Sequence, residues 1–418
     1  MSKAQALAQA QAAITISANF DTPIAQVSNR VLELDPRDAD TCWQTIQGPD
    51  PSLPSGDGDR IGVMLDKSQW GGKTFDEVMA AQTEILPEGD FSQEDLGRFQ
   101  LERGAVTNFD NGVLEITNGE ANFALLRAYE VEAGIVGAEM FYVVIEAEDS
   151  DSGTQAVINL ISFADVTWLP ISAGFTGAGV YAFLGRVRTD NPPSHVDILL
   201  GVFTDTPGDS VRIKSVSIKT IPGNHAYQET VADRPLRTLS GGRWSIQMDG
   251  VNEYLRVTYV ADIDIGGNDW QAFSAFKNDN AAFETMLGWG SNTSADNWRL
   301  FCASGFYPAV YTEADVGNNR QFTGTGLSGE ISVPMVMGWE QDAGTHLKGY
   351  INGFSQTLGT LTLPTGSTRD LTIGADLGTY FFVGHIYGVV LFNNGLMSDA
   401  DALGVQKQLA IWSDVRPL

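Results

Sequence analysis

The chain has 418 residues, 43% of them hydrophobic and 10% aromatic, which is more than one core usually organises, so two or three domains are expected. Its formal charge of −27, from 52 acidic against 25 basic residues, repels phosphate backbones and anionic bilayers and argues against nucleic acid or membrane as a partner. No run approaches the roughly 18 apolar residues of a membrane span, and Cys42 and Cys302 are too few for a disulfide framework and too far apart for a metal knuckle.

Residues 3–13 are rich in Ala and Gln and carry little large apolar surface beyond Leu7. They lack the apolar stretch of a secretory signal, so synthesis in a cytoplasm is expected, with release by another route. Too short to hold a helix alone in water, they read as a segment ordered by neighbours, in attachment or oligomerisation. Residues 1–85 as a whole read as an attachment and connector segment. Within it, Val31–Leu34 and Ile61–Leu65 are strand-like, and Gly48 to Gly58 is a loop by its Pro, Gly, Asp and Ser content. Thr74, or Lys73 before it, caps a short helix through Ala81 with Phe75, Val78 and Met79 on one face.

From Glu88 to Ile221 the pattern is short strands between turns, with an Asn111-Gly112 hairpin signal before Val113. Strands are expected at Phe141–Ala147, Gln155–Phe163, Gly179–Val187, Val196–Phe203 and Val211–Lys219, the last read as strict apolar/polar alternation. Residues 86–222 therefore read as a β-sandwich. Residues 223–238, polar and bounded by Pro222 and Pro235, read as a linker. Residues 239–418 form a second strand series ending in a helix opened by Ser398, with Leu403, Leu409 and Ile411 as its apolar positions. The fold class is mainly β, two jelly-roll-like sandwiches in tandem.

Paired carboxylates are the first catalytic pattern to test, since glycoside hydrolysis needs two facing each other at fixed separation. Glu146, Glu148, Asp149 and Asp151 run into a turn and read as a solvated strand end. His195, His225, His346 and His385 show no metal-ligand spacing and no nucleophile motif. No enzyme is expected, and a glycan-processing activity through Glu146 or Glu148 stands as the alternative. Aromatic rings are the better candidates, because flat rings stack on sugar faces. Trp298, Tyr307, Tyr311 and Trp270 are the proposed ligand-binding residues, while Trp289 and Trp339 read as core-strand residues by their apolar flanks. Asp262, Asp264 and Asp269 beside Gly266-Gly267 are the candidate oxygen ligands for Ca²⁺, against a plain hairpin turn; no other cofactor is expected.

Several segments carry a family resemblance. Met248-Asp249-Gly250-Val251-Asn252-Glu253-Tyr254-Leu255 resembles the first core strand of laminin-G-like, concanavalin-like domains. Gly349 to Gly353 resembles their Asn-Gly hairpin, and Leu371–Gly374 with Phe382–Val389 resembles their two closing strands. Leu396-Met397-Ser398-Asp399-Ala400 is similar to the segment leading into their last helix. Nearer the N-terminus, Leu34-Asp35-Pro36 and Gly62-Val63-Met64-Leu65-Asp66-Lys67-Ser68 resemble segments of phage structural and tail proteins. Gly89-Asp90-Phe91-Ser92 looks like the start of the carbohydrate-binding-like jelly roll those chains carry next. The Trp usual after that start is absent, with Phe99 the nearest aromatic. Gly223-Asn224-His225-Ala226 and Arg234-Pro235 resemble the linker before their laminin-G-like domain. The resemblance implies a virion surface protein, of head or tail fibre type, held to other virion proteins through its N-terminal segment. It further implies contact with host-surface polysaccharide and a homo-oligomer, with a purely architectural cement role as a second alternative.

Overall fold

The computed structural model describes residues 24, 27, 29–45, 53–86, 91, 99–102, 104–119, 122–132, 140–151, 155–161, 171–186, 195–204, 206–258, 268–280, 284–289, 298–303, 307–312, 320–321, 332–342, 346–359, 370–376 and 380–415. They divide into two compact units. The first holds the described residues up to Cys42, Ser55–Gly72 and those from Gly223 onward; the second holds Trp43–Pro54 and Lys73–Pro222. Residues 3–13 of the expected attachment segment lie outside the described residues.

The first unit is a sandwich of two antiparallel sheets. One runs in the order Phe354–Gly359, His346–Ile351, Met335–Asp342, Trp270–Asn278, Val383–Asn393, Arg243–Asp249, Leu236–Ser240 and Asp59–Arg60, with Arg30–Leu34 paired to the second half of Val383–Asn393. The other runs from Cys42 through Val63–Met64, Ala226–Tyr227, Leu255–Val257, Leu371–Ile373, Glu284–Trp289, Trp298–Ala303 and Tyr307–Thr312 to Arg320–Gln321. Alternate side chains of both sheets meet in one core, in which Trp270, Trp289 and Trp339 are fully buried beside Ile246, Leu300 and Ile373. The Asn352-Gly353 hairpin takes positive φ at both residues (46° and 92°), as a type I′ turn requires.

The helix Asp399–Ser413 covers the outer face of the first sheet. Ser398 caps it, its Oγ accepting from the Asp401 N–H at 3.2 Å. The buried side is Ala402, Val405, Leu409, Ala410 and Trp412, not the expected Leu403 and Ile411, which are half-buried. The stripe is thus centred on small and aromatic residues. Gly388 lets the Trp412 ring approach: a Cβ there would stand 2.5 Å from a ring carbon.

Two sequence expectations change here. The 223–238 stretch is no linker: Ala226–Tyr227 pairs with Val63–Met64 and Leu255–Val257, and Leu236–Ser240 pairs with Arg243–Asp249 and Asp59–Arg60. Its polar composition misleads because Arg234 and Arg237 are buried with their guanidiniums on backbone carbonyls. Nor is 1–85 a separate connector. Arg30–Leu34, Asp59–Arg60 and Val63–Met64 are strands of the first unit, whereas the helix Phe75–Ala81 belongs to the second.

The second unit packs two five-stranded sheets. Their orders are Ile171–Phe175, Gln155–Ile161, His195–Thr204, Asn122–Glu132, Phe99–Glu102, and Gly179–Arg186, Met140–Ser150, Ser210–Ile221, Val113–Asn118, Ala105–Asp110. Leu126, Leu200 and Val202 of one sheet share a core with Phe141, Val143, Ile145 and Ile213 of the other. The expected strict alternation after Val211 breaks: the register shifts between Ile213 and Ser215, so Val211 and Ile213, then Val216 and Ile218, all point inward. The helix Phe75–Ala81 starts in a capping box, with Glu77 N–H on the Thr74 hydroxyl and Thr74 N–H on the Glu77 carboxylate, and it buries Phe75, Val78 and Met79.

Candidate ligand-binding face

Leu255, Val257, Leu371, Ile373 and Leu300 of the first unit's second sheet face its core, so their neighbours point to the opposite side. Strand register lines up Tyr227, Arg256, Thr372, Gly288 and Arg299 as one row across that outer face. Arg256 and Arg299 are three strands apart, roughly 14 Å at the usual inter-strand spacing.

The chain that leaves Leu371–Ile373 crosses this row at Gly288. At Gly288 an added Cβ would lie 2.8 Å from the Ala375 carbonyl oxygen and 3.0 Å from Thr372 Oγ1, so only glycine allows this crossing. Thr372 Oγ1 lies 2.7 Å from the Ala375 carbonyl and 3.1 Å from that of Gly288, either of which can accept its proton. Asp376, fully buried, meets Arg299 Nη1 at 2.7 Å. The Arg299 guanidinium sits 4.1 Å from the Tyr380 ring centroid, a cation–π contact, and Tyr380 remains 40% exposed as a residue. Phe381 lies against Tyr254 with centroids 6.5 Å apart, and exposed Arg256 pairs with Asp370. The resulting surface offers three partly exposed rings and two guanidiniums whose orientation carboxylates fix.

The sequence-derived ligand residues divide. Trp270 is corrected: it is fully buried in the core, because its strand lies at the centre of the first sheet. Register sets position 298 opposite Trp289, whose ring is in the core. It sets positions 307 and 311 opposite positions 303 and 299. The side chains of Trp298, Tyr307 and Tyr311 lie outside the described residues, as do Asp262 and Asp264. Asp269 is half-buried, its carbonyl accepting from Gly395 N–H at 3.3 Å. Among the described residues no three His, Cys, Asp or Glu side chains gather as a metal site. Sequence reasoning missed Arg256, Tyr254, Tyr380 and Phe381. The Tyr380-Phe381 doublet two residues after Gly378 was the available signal.

Other polar clusters are built differently. Ser245 Oγ and His385 Nδ1 are 2.9 Å apart, and His385 Nε2 is 3.9 Å from Asp279. Ser245 is fully buried, which denies its hydroxyl to a substrate. Burial, then Lys277, hold the His385 imidazole below its ordinary range. Buried Glu340 accepts from Tyr350 OH and from Gln271 Nε2 (2.6 Å), with His346 Nε2 at 3.3 Å. Burial and Glu340 push the Tyr350 phenol up. In the second unit Glu148 pairs with Arg212 at 2.8 Å, which Asp110 and Glu115 share, and Glu146 pairs with Lys214 at 3.3 Å, on a solvated strand face.

No protein-family model matches the chain, and no curated protein matches it. Parts of the chain are similar to solved structures. NanB, determined with Optactamide, is 22% identical over 37% of this chain and 26% of its own, at a TM-score of 0.31. The Ruminococcus gnavus IT-sialidase CBM40 bound to alpha2,3 sialyllactose is 13% identical over 39% of this chain and 95% of its own, at 0.33. Domain 4 of AbnA, a GH43 extracellular arabinanase from Geobacillus stearothermophilus, in complex with arabinotriose, is 13% identical over 41% of this chain and 81% of its own, at 0.33.

Proposed function

We propose that the chain is a phage-particle surface protein whose first unit contacts host glycans through the face built by Tyr254, Arg256, Tyr380 and Phe381. One observation carries the reading. Tyr380 is 40% exposed, yet its ring is held over Arg299, which is itself locked to buried Asp376. A ring fixed before binding loses little rotamer freedom when a sugar stacks on it. Arg256 and Arg299 add donors in planar array, suited to hydroxyl or carboxylate oxygens. The particle part of the reading is supported by the phage-type segments, two of which, Gly62–Ser68 and Gly223–Ala226, meet in a buried hydrogen-bond knot around Asp66. Weak single sites suffice for a displayed protein, because neighbouring copies raise the effective concentration.

The test is binding of the full chain to a panel of bacterial surface polysaccharides, with Tyr380→Ala and Arg256→Ala as variants. Binding weakened tenfold or more by each, with thermal unfolding unchanged, supports the reading. Absence of binding across the panel, or binding indifferent to both changes, rejects this face. Cryo-electron microscopy of virions tests the particle role. Density outside the shell or along the tail supports it, and a chain missing from particles sinks it.

A further inference from the structure

Both guanidiniums of the candidate face are already matched by carboxylates. Arg256 gives Nε and Nη2 to Asp370; the arginine side chain is 46% exposed and the aspartate only 13%. Arg299 gives Nη1 to Asp376, which is fully buried. Among the described side chains on the strands of this sheet, these two arginines are the only cations. The other members of the row, Tyr227, Thr372 and Gly288, are uncharged, and the Tyr227 hydroxyl is engaged with Thr258 Oγ1 at 2.9 Å. The described face therefore carries aromatic rings and charge-cancelled pairs, with no surplus positive charge.

An acidic sugar finds nothing here to offset its charge. At long range the chain repels it, with a formal charge of −27. At contact it would have to draw Arg256 away from Asp370, leaving that largely enclosed carboxylate without its cation. Arg299 is no substitute, because its partner Asp376 is fully buried and cannot turn to solvent. A sugar hydroxyl makes neither demand. It both accepts and donates, so it can accept from Arg256 Nη1, which the pair with Asp370 does not use, and donate to the carboxylate of the same pair. Tyr380 over Arg299 and Phe381 against Tyr254 then offer flat rings to the C–H face of a sugar, a contact that carries no charge.

We infer that the ligands of this face are neutral polysaccharides, and that Asp370 is the specificity-determining residue that excludes acidic ones by keeping Arg256 neutralised. The inference rests on the reading of the face as the ligand-binding surface and names the class of glycan it takes.

Binding of the full chain to neutral and uronate-bearing bacterial surface polysaccharides tests it, each acidic member measured again after its carboxyl groups are reduced to alcohols. The members that bind are expected to be neutral or carboxyl-reduced, about tenfold or more tighter than any acidic parent, with affinities that hold between about 50 and about 500 mM NaCl. Asp370→Asn, which leaves the charge of Arg256 unmatched, is expected to tighten binding of the acidic members several-fold at the lower salt only. Tighter binding of acidic parents by wild type, lost in Tyr380→Ala, overturns this inference and leaves the face in place. Acidic binding unchanged in a folded Asp370→Asn overturns the part given to Asp370, and the wild-type comparison alone decides the class if that variant does not fold. A chain that binds no member, or binds with indifference to Tyr380→Ala, removes the face and this inference with it.

Discussion

His225 Nδ1 accepts a hydrogen bond from the backbone N–H of Asp66 at 3.0 Å, joining two positions 159 residues apart in sequence. The Asp66 carboxylate in turn accepts from the N–H groups of Glu33 (2.7 Å), Ser68 (2.8 Å) and Asn224 (2.7 Å), and from Ser68 Oγ (2.6 Å). Gly223 permits the approach: its φ is +131°, and a Cβ there would stand 2.9 Å from the Asp66 carbonyl oxygen. One buried carboxylate therefore gathers three separate backbone stretches of the first unit.

Asp66→Ala leaves three enclosed N–H groups without acceptors, each costing about 1–3 kcal/mol. Loss of about 4 kcal/mol from the first unit is expected, read as a lowered midpoint in denaturant with the second unit's transition in place. Asp66→Asn keeps one acceptor oxygen and should lose less. A midpoint unchanged in Asp66→Ala would show that the knot is ornamental.

Arg237 plays a similar part beside it. Its guanidinium donates to the carbonyls of Pro36 (2.9 Å), Ser55 (2.5 Å) and Arg37 (3.3 Å), and it stacks 3.9 Å over the Trp244 ring. Lysine keeps the charge but has neither the planar fork nor the stacking face. Arg237→Lys is expected to lose about 2 kcal/mol by the same measurement, and Trp244 fluorescence should shift with it.

What the sequence disclosed follows from range. Local signals were sufficient where the chain acts on itself: the Thr74 cap, the Ser398 cap and the Asn352-Gly353 turn all stand where residue chemistry placed them. They failed where polar residues are buried by distant partners. Arg234, Arg237 and Asp66 look solvated in sequence, and only pairing across the unit shows them enclosed. The candidate face was half legible for the same reason. Aromatic content marked the 298–311 region, but Trp270 sits in a strand covered on both sides, a fact set by sheet order. Arg299 and Tyr380 come together through a crossing over Gly288 that no spacing rule anticipates.

Gly288 gives a direct handle on that crossing. Gly288→Ala puts a methyl group 2.8 Å from the Ala375 carbonyl, so the connection must lift by several tenths of an ångström. Polysaccharide binding should weaken several-fold in this variant, with a stability loss of about 1–2 kcal/mol from the overpacked contact. Wild-type binding in Gly288→Ala would mean that the connection does not shape the face.

Stability against pH should be bounded on two sides by groups at one end of the sandwich. Glu284 is raised from 4.5 to about 7 by burial, so the folded state binds its proton more tightly than the unfolded chain does. Its stabilising contribution is complete below about 4.5 and is lost as pH rises through 7, at most about 3 kcal/mol for a shift of this size. His385 has the opposite sign. Burial and Lys277 lower it, so its contribution is present above the ordinary imidazole range and is lost as pH falls through the folded value. Thermal unfolding followed from pH 5 to 8.5 should therefore show the first unit weakening toward alkaline pH, and Glu284→Gln should flatten that limb alone. His385→Asn should leave the alkaline limb unchanged and reduce the acid loss. An alkaline limb that survives in Glu284→Gln would assign the titration to another group.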